Sequence, residues 1–328
     1  MSDPTQTSLK YISIPLQSLK TGNREIDFDI YIKLSEDNYA HLFSRTTGID
    51  YKRLFQYAQK GVTELYIRPE DELLYQKFSG ETAEVIMNNP SLASEKKVAC
   101  IINMTEQTMV EIFSKFSIDD QVADSTKKVV NNYVELLHSD PKSLVMLMRL
   151  VSHGEYLYYH SIAVAIFSIF LSKASGLFNR RLIETIGLGA FLHDLGCVHI
   201  PREITESPHD LTAAQWKVMR AHPKVGLQML EKATTIPDEV RYIVYQHHEE
   251  PGAQGYPNQI GGNAIYYPAK IVSVADGFSA LISKRPFRAA FSTEQAMHII
   301  QSDPGKFDRE IVRLLITLFT KKAEKKAA

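Results

Sequence analysis

Two patterns of apolar and polar positions divide the chain. Near the N-terminus, apolar and polar side chains alternate over 11–14 and 26–34, as they do in half-buried strands. The segment 63–67 predicts a third strand ahead of a proline. Between the second and third of these strands a helix is predicted over 51–60, because Asp50 can cap its start and Gly61 can end it. The first 90 residues therefore predict a small α/β domain.

From Val98 onward the apolar positions recur at helical spacing, as over 145–151 and 162–169. The polar segment 88–97 before this region contains the helix breaker Pro90, so we predict domains over 1–90 and 91–328. The segment 249–268 is rich in glycine and proline and predicts a long ordered loop. The expected fold is α+β overall, with an all-α helical bundle preceded by the small α/β domain.

Composition excludes several classes of protein. The 328 residues are 44% hydrophobic and 23% charged, which is ordinary globular composition, and the net charge of −1 gives no overall attraction to a nucleic acid polymer. Cys100 and Cys197 are too few for a disulfide framework or a structural zinc site. The apolar stretch 162–171 is shorter than the roughly 20 residues that a membrane span needs, and the N-terminus does not resemble a secretory signal. We therefore expect a cytoplasmic protein with no membrane span.

Five of the 11 histidines and two aspartates form a candidate metal site. Imidazole and carboxylate groups bind divalent transition metals, and helical bundles build such sites from inward-pointing side chains. Taken singly, His222 is better explained as a capping or packing residue and the His193-Asp194 pair as a chance pairing. Two adjacent imidazoles, His247 and His248, are costly to bury unless both are paired. Taken together, the set favours a metal cluster. A carboxylate can bridge two ions, which makes Asp194 the natural bridging ligand. The set is His160, His193, Asp194, His222, His247, His248 and Asp276.

An ordered series of motifs makes the region 156–288 resemble an HD-GYP domain, a branch of the HD-superfamily phosphohydrolases that hydrolyses cyclic di-GMP. The motifs are HSIAVA from His160, FLHDLG from Phe191, IPREI from Ile200, LTAAQWKVMRAHPKVG through His222, HHE from His247, GYP at Gly255, Tyr256 and Pro257, VADGFSAL, and KRPFR ending at Arg288. Motifs in this number and order are far more specific than any one of them.

The resemblance implies two metal ions that share Asp194. One would be held by His160, His193, Asp194 and Asp276, and the other by Asp194, His222, His247 and His248. Some family members hold a third ion through a glutamate one turn before the first histidine, but that position is Tyr156 here, with Glu155 off the helix face. The absence of a thiolate ligand favours iron or manganese over structural zinc.

The activity that the resemblance implies is hydrolysis of cyclic di-GMP to linear pGpG or GMP by a hydroxide held between two metal ions. His193 and Asp194 are the expected catalytic residues. Arg285 and Arg288 match the family's RPxR segment and would bind phosphate, and the loop residues Gly255, Tyr256 and Pro257 would contact substrate. The same loop is implicated in contacts with diguanylate cyclase domains of the GGDEF type.

The sequence departs from the family pattern at four positions. Cys197 replaces the lysine of HDxGK, Ser279 replaces the second aspartate of ADxxDAL, and Gly252 and Ala253 stand where the loop has Asp-Gly. Residues around metal ligands tune affinity and rate, so the alternative is a weak or inactive module that acts as a cyclic di-GMP receptor or binds a partner protein. A hydrolase for another nucleotide would leave the GYP and RPFR segments without a role.

Overall fold

The computed structural model describes residues 11–20, 25–115, 117–151, 156–177, 179–285 and 288–327. The chain divides into two compact units that meet between Met104 and Thr105, inside one long helix. The predicted boundary after residue 90 falls just before that helix, and it stays a prediction.

The N-terminal unit is built on a four-stranded antiparallel sheet with the strand order β1-β4-β2-β3. In chain order its elements are β1 (Ile12–Pro15), β2 (Ile30–Ser35), β3 (Asn38–Phe43), α1 (Tyr51–Gln59), β4 (Glu64–Ile67) and α2 (Glu72–Asn88), and α3 (Ser94–Lys115) follows. The predicted cap is present, since the Asp50 side chain accepts a hydrogen bond from the Arg53 amide. The core of the unit joins buried side chains of the sheet to Leu54 of α1 and to Tyr75 and Phe78 of α2.

The sequence predicted three strands in this unit, and the structure has four. The missed strand β3 forms a hairpin with β2. Its sequence NYAHLF carries exposed Asn38 and His41, so its apolar alternation is weak and pairing with β2 defines the strand. Strand β2 also begins later than predicted: Ile26 and Phe28 are buried in the core but precede the strand.

The second unit is helical, as predicted. It contains α4 (Asp120–Ser139), α5 (Ser143–Val151), α6 (Tyr156–Ala174), α7 (Arg180–Leu192), α8 (Arg202–Thr205), α9 (Ala213–Met219), α10 (His222–Met229), α11 (Asp238–Gln246), α12 (Tyr267–Ile282), α13 (Thr293–Ser302) and α14 (Arg309–Ala327). Apart from an isolated bridge between Arg285 and Arg288, the described part of this unit has no β-structure. The predicted fold class is confirmed.

Helix α7 lies at the centre of the second unit because two glycines allow close packing. A Cβ atom at Gly187 would come within 2.9 Å of Val130 in α4, and one at Gly189 within 2.7 Å of Ile243 in α11. Every residue from Ile186 to Leu192 is buried. The C-terminal end of α7, where the HD pair begins, is therefore fixed by the core around it.

In the described parts of the chain, no helix combines the length and the apolar character needed to cross a membrane.

Candidate metal centre

The structure brings all seven predicted histidines and aspartates together, mostly from helix ends. His193 directly follows α7, His222 is the first residue of α10, and His247 and His248 directly follow α11. Asp194 precedes a 3₁₀ helix over Leu195–His199. The other two residues lie within helices: His160 in α6 and Asp276 in α12.

The first group of donor atoms contains His160, His193 and Asp194, whose potential ligand atoms all lie within 4.8 Å of one another. Nε2 of His193 is 3.3 Å from Oδ2 of Asp194. Asp276 adjoins this group, because its Oδ1 is 2.9 Å from Nε2 of His160 and 4.0 Å from Nε2 of His193.

The second group contains Asp194, His222, His247 and His248, again with potential ligand atoms within 4.8 Å of one another. Oδ1 of Asp194 is 3.3 Å from Nε2 of His222 and 3.9 Å from Nε2 of His247. Asp194 thus presents Oδ2 to the first group and Oδ1 to the second. This is the arrangement that a bridging carboxylate needs.

Backbone carbonyls hold three of the imidazole rings in one orientation. Nδ1 of His193, His222 and His247 lies 2.7–2.8 Å from the carbonyl oxygen three residues earlier in each case. A carbonyl oxygen only accepts, so Nδ1 must carry the proton, and in the neutral ring Nε2 is then a lone-pair acceptor.

The resulting array of acceptors fits a cation. Nε2 of His222 and Nε2 of His247 are 3.2 Å apart, and both face the Asp194 carboxylate. Nε2 of His193 is buried and makes no hydrogen bond to any of the described residues. Lone pairs facing one another in a buried site are unfavourable unless a positive charge lies between them. The nitrogen and oxygen donors present therefore suit a divalent metal ion.

The pKa shifts follow from burial and from the two carboxylates. Burial lowers the pKa of His193, but Asp194 and Asp276 outweigh it and raise that pKa to about 9. A metal ion bound at Nε2 of His193 would therefore displace a proton from this ring. Burial, reinforced by neighbouring imidazoles, holds the pKa of His247 and of His248 well below the usual value. Those two rings are therefore neutral near pH 7, which is the form that binds metals.

A close contact between two glycines brings Asp194 next to His222. A Cβ atom at Gly196 would come within 2.0 Å of the His222 carbonyl oxygen and 2.7 Å of the Gly226 amide nitrogen. Only glycine at 196 therefore allows the 3₁₀ helix to approach α10 this closely. Sequence reasoning noted this residue only as part of the FLHDLG motif.

The predicted loop is anchored by Glu249, which is 1% exposed. Its Oε1 accepts a hydrogen bond of 2.7 Å from the Asn258 amide, and its Oε2 accepts one of 3.0 Å from the Ile260 amide. A Cβ atom at Gly255 would meet the His248 carbonyl oxygen at 2.3 Å, which explains the glycine there. The loop is thereby held against the His247-His248 pair.

The predicted substrate residue Tyr256 lies directly against the second group. Its ring stacks on His248 with centroids 4.6 Å apart and an interplanar angle of 26°. Burial raises the pKa of Tyr256 well above its usual value, and the Asp194 and Asp276 carboxylates add to the shift. Pro257 follows through a cis peptide bond.

Arg285 and Arg288 lie just beyond the C-terminal end of α12. The Arg288 guanidinium donates hydrogen bonds to the carbonyl oxygens of Ala280, Leu281 and Ala289, so it caps the end of α12. Burial, followed by repulsion from Arg288, lowers the pKa of Arg285 to about 9. The other two residues of the RPFR segment, 286–287, lie outside the described residues, and phosphate binding by either arginine stays a prediction.

The four departures from the family pattern occupy two environments. Cys197 and Ser279 are buried, and the Sγ atom of Cys197 lies 3.7 Å from Oδ1 of Asp194. Burial, reinforced by Asp194, raises the pKa of that thiol well above its usual value, so Cys197 is neutral. Gly252 and Ala253 lie in the loop, where the Gly252 amide donates to the Gly305 carbonyl oxygen at 2.7 Å and Ala253 has a φ of +57°.

The prediction that a third metal ligand is missing concerns Glu155 and the side chain of Tyr156, which lie outside the described residues.

Two further residues at the site, Trp216 and Arg220, were missed by the sequence reasoning. Arg220 lies 5.7 Å from the Tyr256 ring centroid and 5.7 Å from that of Trp216. The sequence feature that could have indicated them is their spacing: Trp216 and Arg220 are one helical turn apart and lie just before His222.

Comparisons with known proteins show what the chain resembles. Residues 174–311 match the protein-family model described as "HD domain". The resemblance to HD-GYP proteins is also confirmed. Over 95% of this chain and 100% of the other, the fold matches that of Bd1817, an HDG"Y"P protein of Bdellovibrio bacteriovorus, with a TM-score of 0.69 and 21% identity. At that identity the likeness concerns the fold alone.

Several curated relatives are named as phosphodiesterases of cyclic dinucleotides. The chain is 27% identical over 233 residues to the cyclic di-GMP phosphodiesterase PA4108 of Pseudomonas aeruginosa, covering 71% of this chain and 54% of the relative. It is 33% identical over 154 residues to the cyclic di-GMP phosphodiesterase response regulator RpfG of Xanthomonas campestris, covering 44% and 41%. A 3'3'-cGAMP-specific phosphodiesterase 1 of Vibrio cholerae is 29% identical over 181 residues, covering 53% and 41%. The chain thus spans about half the length of these relatives.

Proposed function

We propose that this chain is a divalent-metal-dependent phosphodiesterase that hydrolyses cyclic di-GMP to linear pGpG or GMP. The observation that carries the proposal is Asp194, whose two carboxylate oxygens face two separate groups of histidines. The names of the relatives PA4108 and RpfG support cyclic di-GMP as the substrate.

We infer the following ligand sets. His160, His193, Asp194 and Asp276 would hold one ion, and Asp194, His222, His247 and His248 would hold the other. The distances within each group and the array of Nε2 acceptors support this assignment. All donors are nitrogen or oxygen, which favours iron or manganese. When bound, such ions supply Lewis acid activation of water and stabilise charge on the phosphodiester.

The side chains of this chain would orient the reactants. His193 and Asp194 are the proposed catalytic residues: the carbonyl of Ala190 fixes the His193 ring, and Asp194 joins the two groups. Gly255, Tyr256 and Pro257 would form one wall of the substrate site, and Arg285 and Arg288 would bind phosphate. The same loop would contact GGDEF-type cyclase domains, and residues 1–90 would have a regulatory or partner-binding role.

The test is to purify the protein anaerobically, quantify bound metals, and follow cyclic di-GMP by chromatography with iron or manganese supplied. Two ions per chain and steady formation of linear product are expected. Protein that binds no metal, or that is loaded with metal and neither binds nor cleaves the nucleotide, would refute the proposal.

A second candidate, a receptor that binds cyclic di-GMP without hydrolysing it, is favoured by one observation. The neutral, buried thiol of Cys197 lies beside Asp194 where the resemblance implies a lysine cation. A missing cation near a phosphodiester weakens the stabilisation of developing charge more than it weakens binding. Tight binding with two ions and no product in the same experiment would select this candidate.

A further inference from the structure

The guanidinium of Arg220 lies against two aromatic rings next to the proposed metal centre. Its Cζ atom is 5.7 Å from the centroid of the Trp216 indole and 5.7 Å from the centroid of the Tyr256 ring. Tyr256 stacks in turn on His248, with centroids 4.6 Å apart. A row of planar groups therefore leads from the surface to an imidazole of the second group.

Local structure holds this row in place. Thr212 and Gln215 form a capping box that fixes the start of α9. Trp216 and Arg220 are four residues apart, so they lie on the same side of the helical turn. His222 follows two residues later and begins α10. Trp216 is nevertheless 43% exposed, which leaves this side of the row open to a ligand.

Within the part of the chain that the structure describes, the Arg220 guanidinium contacts two aromatic rings but makes no hydrogen bond and no ion pair. Glu250 interacts with it electrostatically, and Lys306 acts on the same carboxylate more strongly. Arg288, by contrast, is occupied with three carbonyl oxygens at the end of α12.

We propose that Arg220 binds the phosphodiester of the cyclic dinucleotide that is not being cleaved, with Trp216 and Tyr256 as the rings that position its guanidinium. This inference rests on the proposed function. A cyclic dinucleotide contains two phosphodiesters in one ring, so a substrate with one at the metal centre presents the other a short distance away. Guanidinium offers planar, paired donors to phosphate, and stacking on aromatic faces limits its orientation.

The test compares two substrates. Cyclic di-GMP has the second phosphodiester, whereas bis(p-nitrophenyl) phosphate has only the one that is cleaved. We expect Arg220→Gln to raise the KM and the Kd for cyclic di-GMP about 10- to 100-fold, the range expected for loss of a charged hydrogen bond. Hydrolysis of bis(p-nitrophenyl) phosphate and the metal content should stay at wild-type values. Arg220→Lys should fall between, because it keeps the charge and loses the planar donors.

Lys217→Gln is the matched control, since it removes the same charge from the same helix one residue after Trp216. It should leave both substrates unaffected. Trp216→Leu should raise the KM for cyclic di-GMP by about 3-fold, within the range for an exposed cation–π contact, while kcat is unchanged.

The outcomes separate this inference from the proposed function. Wild-type protein that cleaves cyclic di-GMP, together with an Arg220→Gln variant of unchanged KM and Kd, would overturn the inference alone. An equal loss on both substrates would also overturn it, because the defect would then lie at the metal centre. Wild-type protein that is loaded with metal and neither binds nor cleaves cyclic di-GMP would refute both.

Discussion

His222 and His247 face each other through their Nε2 atoms at 3.2 Å, while Nδ1 of each ring is held by a carbonyl oxygen of its own chain segment. Two lone pairs at that distance repel unless a cation lies between or beside them. The two rings come from α10 and from the end of α11, so a bound ion would link helices that are separate in sequence.

Removal of metal is therefore expected to destabilise the protein. A ligand at 100 times its Kd contributes about 2.7 kcal/mol, which corresponds to a Tm about 5–10 °C higher for a unit of this size. Thermal unfolding with manganese and after chelation measures the difference. His222→Gln should abolish most of the shift, and His209→Gln, at an exposed position, should retain it. An equal shift in both variants would mean that the metal binds elsewhere.

Asp194 is expected to be the most sensitive position of the site. Asp194→Asn keeps the size of the side chain but removes the negative charge shared by both groups, so metal content should fall for both ions together. Turnover should drop by more than the roughly 10- to 100-fold that is typical of residues around metal ligands. Metal analysis and cyclic di-GMP hydrolysis check this result. Asp210→Asn, at an exposed aspartate, is the control. Loss of a single ion would contradict the bridging role.

Glu249 is expected to control the loop that carries Tyr256. Glu249→Ala removes the acceptor for the amides of Asn258 and Ile260, and each unsatisfied amide costs about 1–3 kcal/mol if it stays buried. Hydrogen exchange at these amides should accelerate, and the KM for cyclic di-GMP should rise. Glu249→Gln keeps one oxygen acceptor and should be intermediate, while exposed Glu231→Gln should have no effect. Unchanged exchange in Glu249→Ala would show that the loop is held by other contacts.

Cys197 and Ser279 are expected to behave as a pair. If the absence of the family's lysine and aspartate at these two positions limits turnover, Cys197→Lys combined with Ser279→Asp should raise it. Ser279→Asp alone adds a buried carboxylate with no cation placed to pair with it, which costs about 3–5 kcal/mol, as when a buried pair is broken. The Ser279→Asp variant should therefore unfold at lower temperature than the double variant. A double variant that is as stable as the wild type but turns over no faster would show that these two positions do not limit activity.

The grouping of these histidines and aspartates could be anticipated from sequence because they belong to short motifs, most of which fall at helix ends. His193-Asp194 and His247-His248 are adjacent pairs, so the local chain already places the members of each pair together. The helical character of the second unit followed from apolar periodicity, and the three strands that were predicted for the α/β unit are present as β1, β2 and β4.

The contacts between distant segments could not be read in the same way. Strand β3 depends on pairing with β2, and its own apolar pattern is weak. In the sequence, nothing distinguishes Arg220 from the other arginines. Only the path of the loop in the folded chain brings Tyr256 against it. The capping role of Arg288 likewise depends on how the chain returns to the end of α12. These features are properties of tertiary packing, which the local pattern does not encode.

The chain contains a single tryptophan, and it is Trp216. All intrinsic tryptophan emission therefore originates from the residue that packs on Arg220, beside the row of rings that ends at His248. The indole is partly exposed, so its emission responds to changes in local polarity and to nearby charge. Tryptophan fluorescence of the unlabelled protein therefore reports on the surroundings of the proposed metal centre.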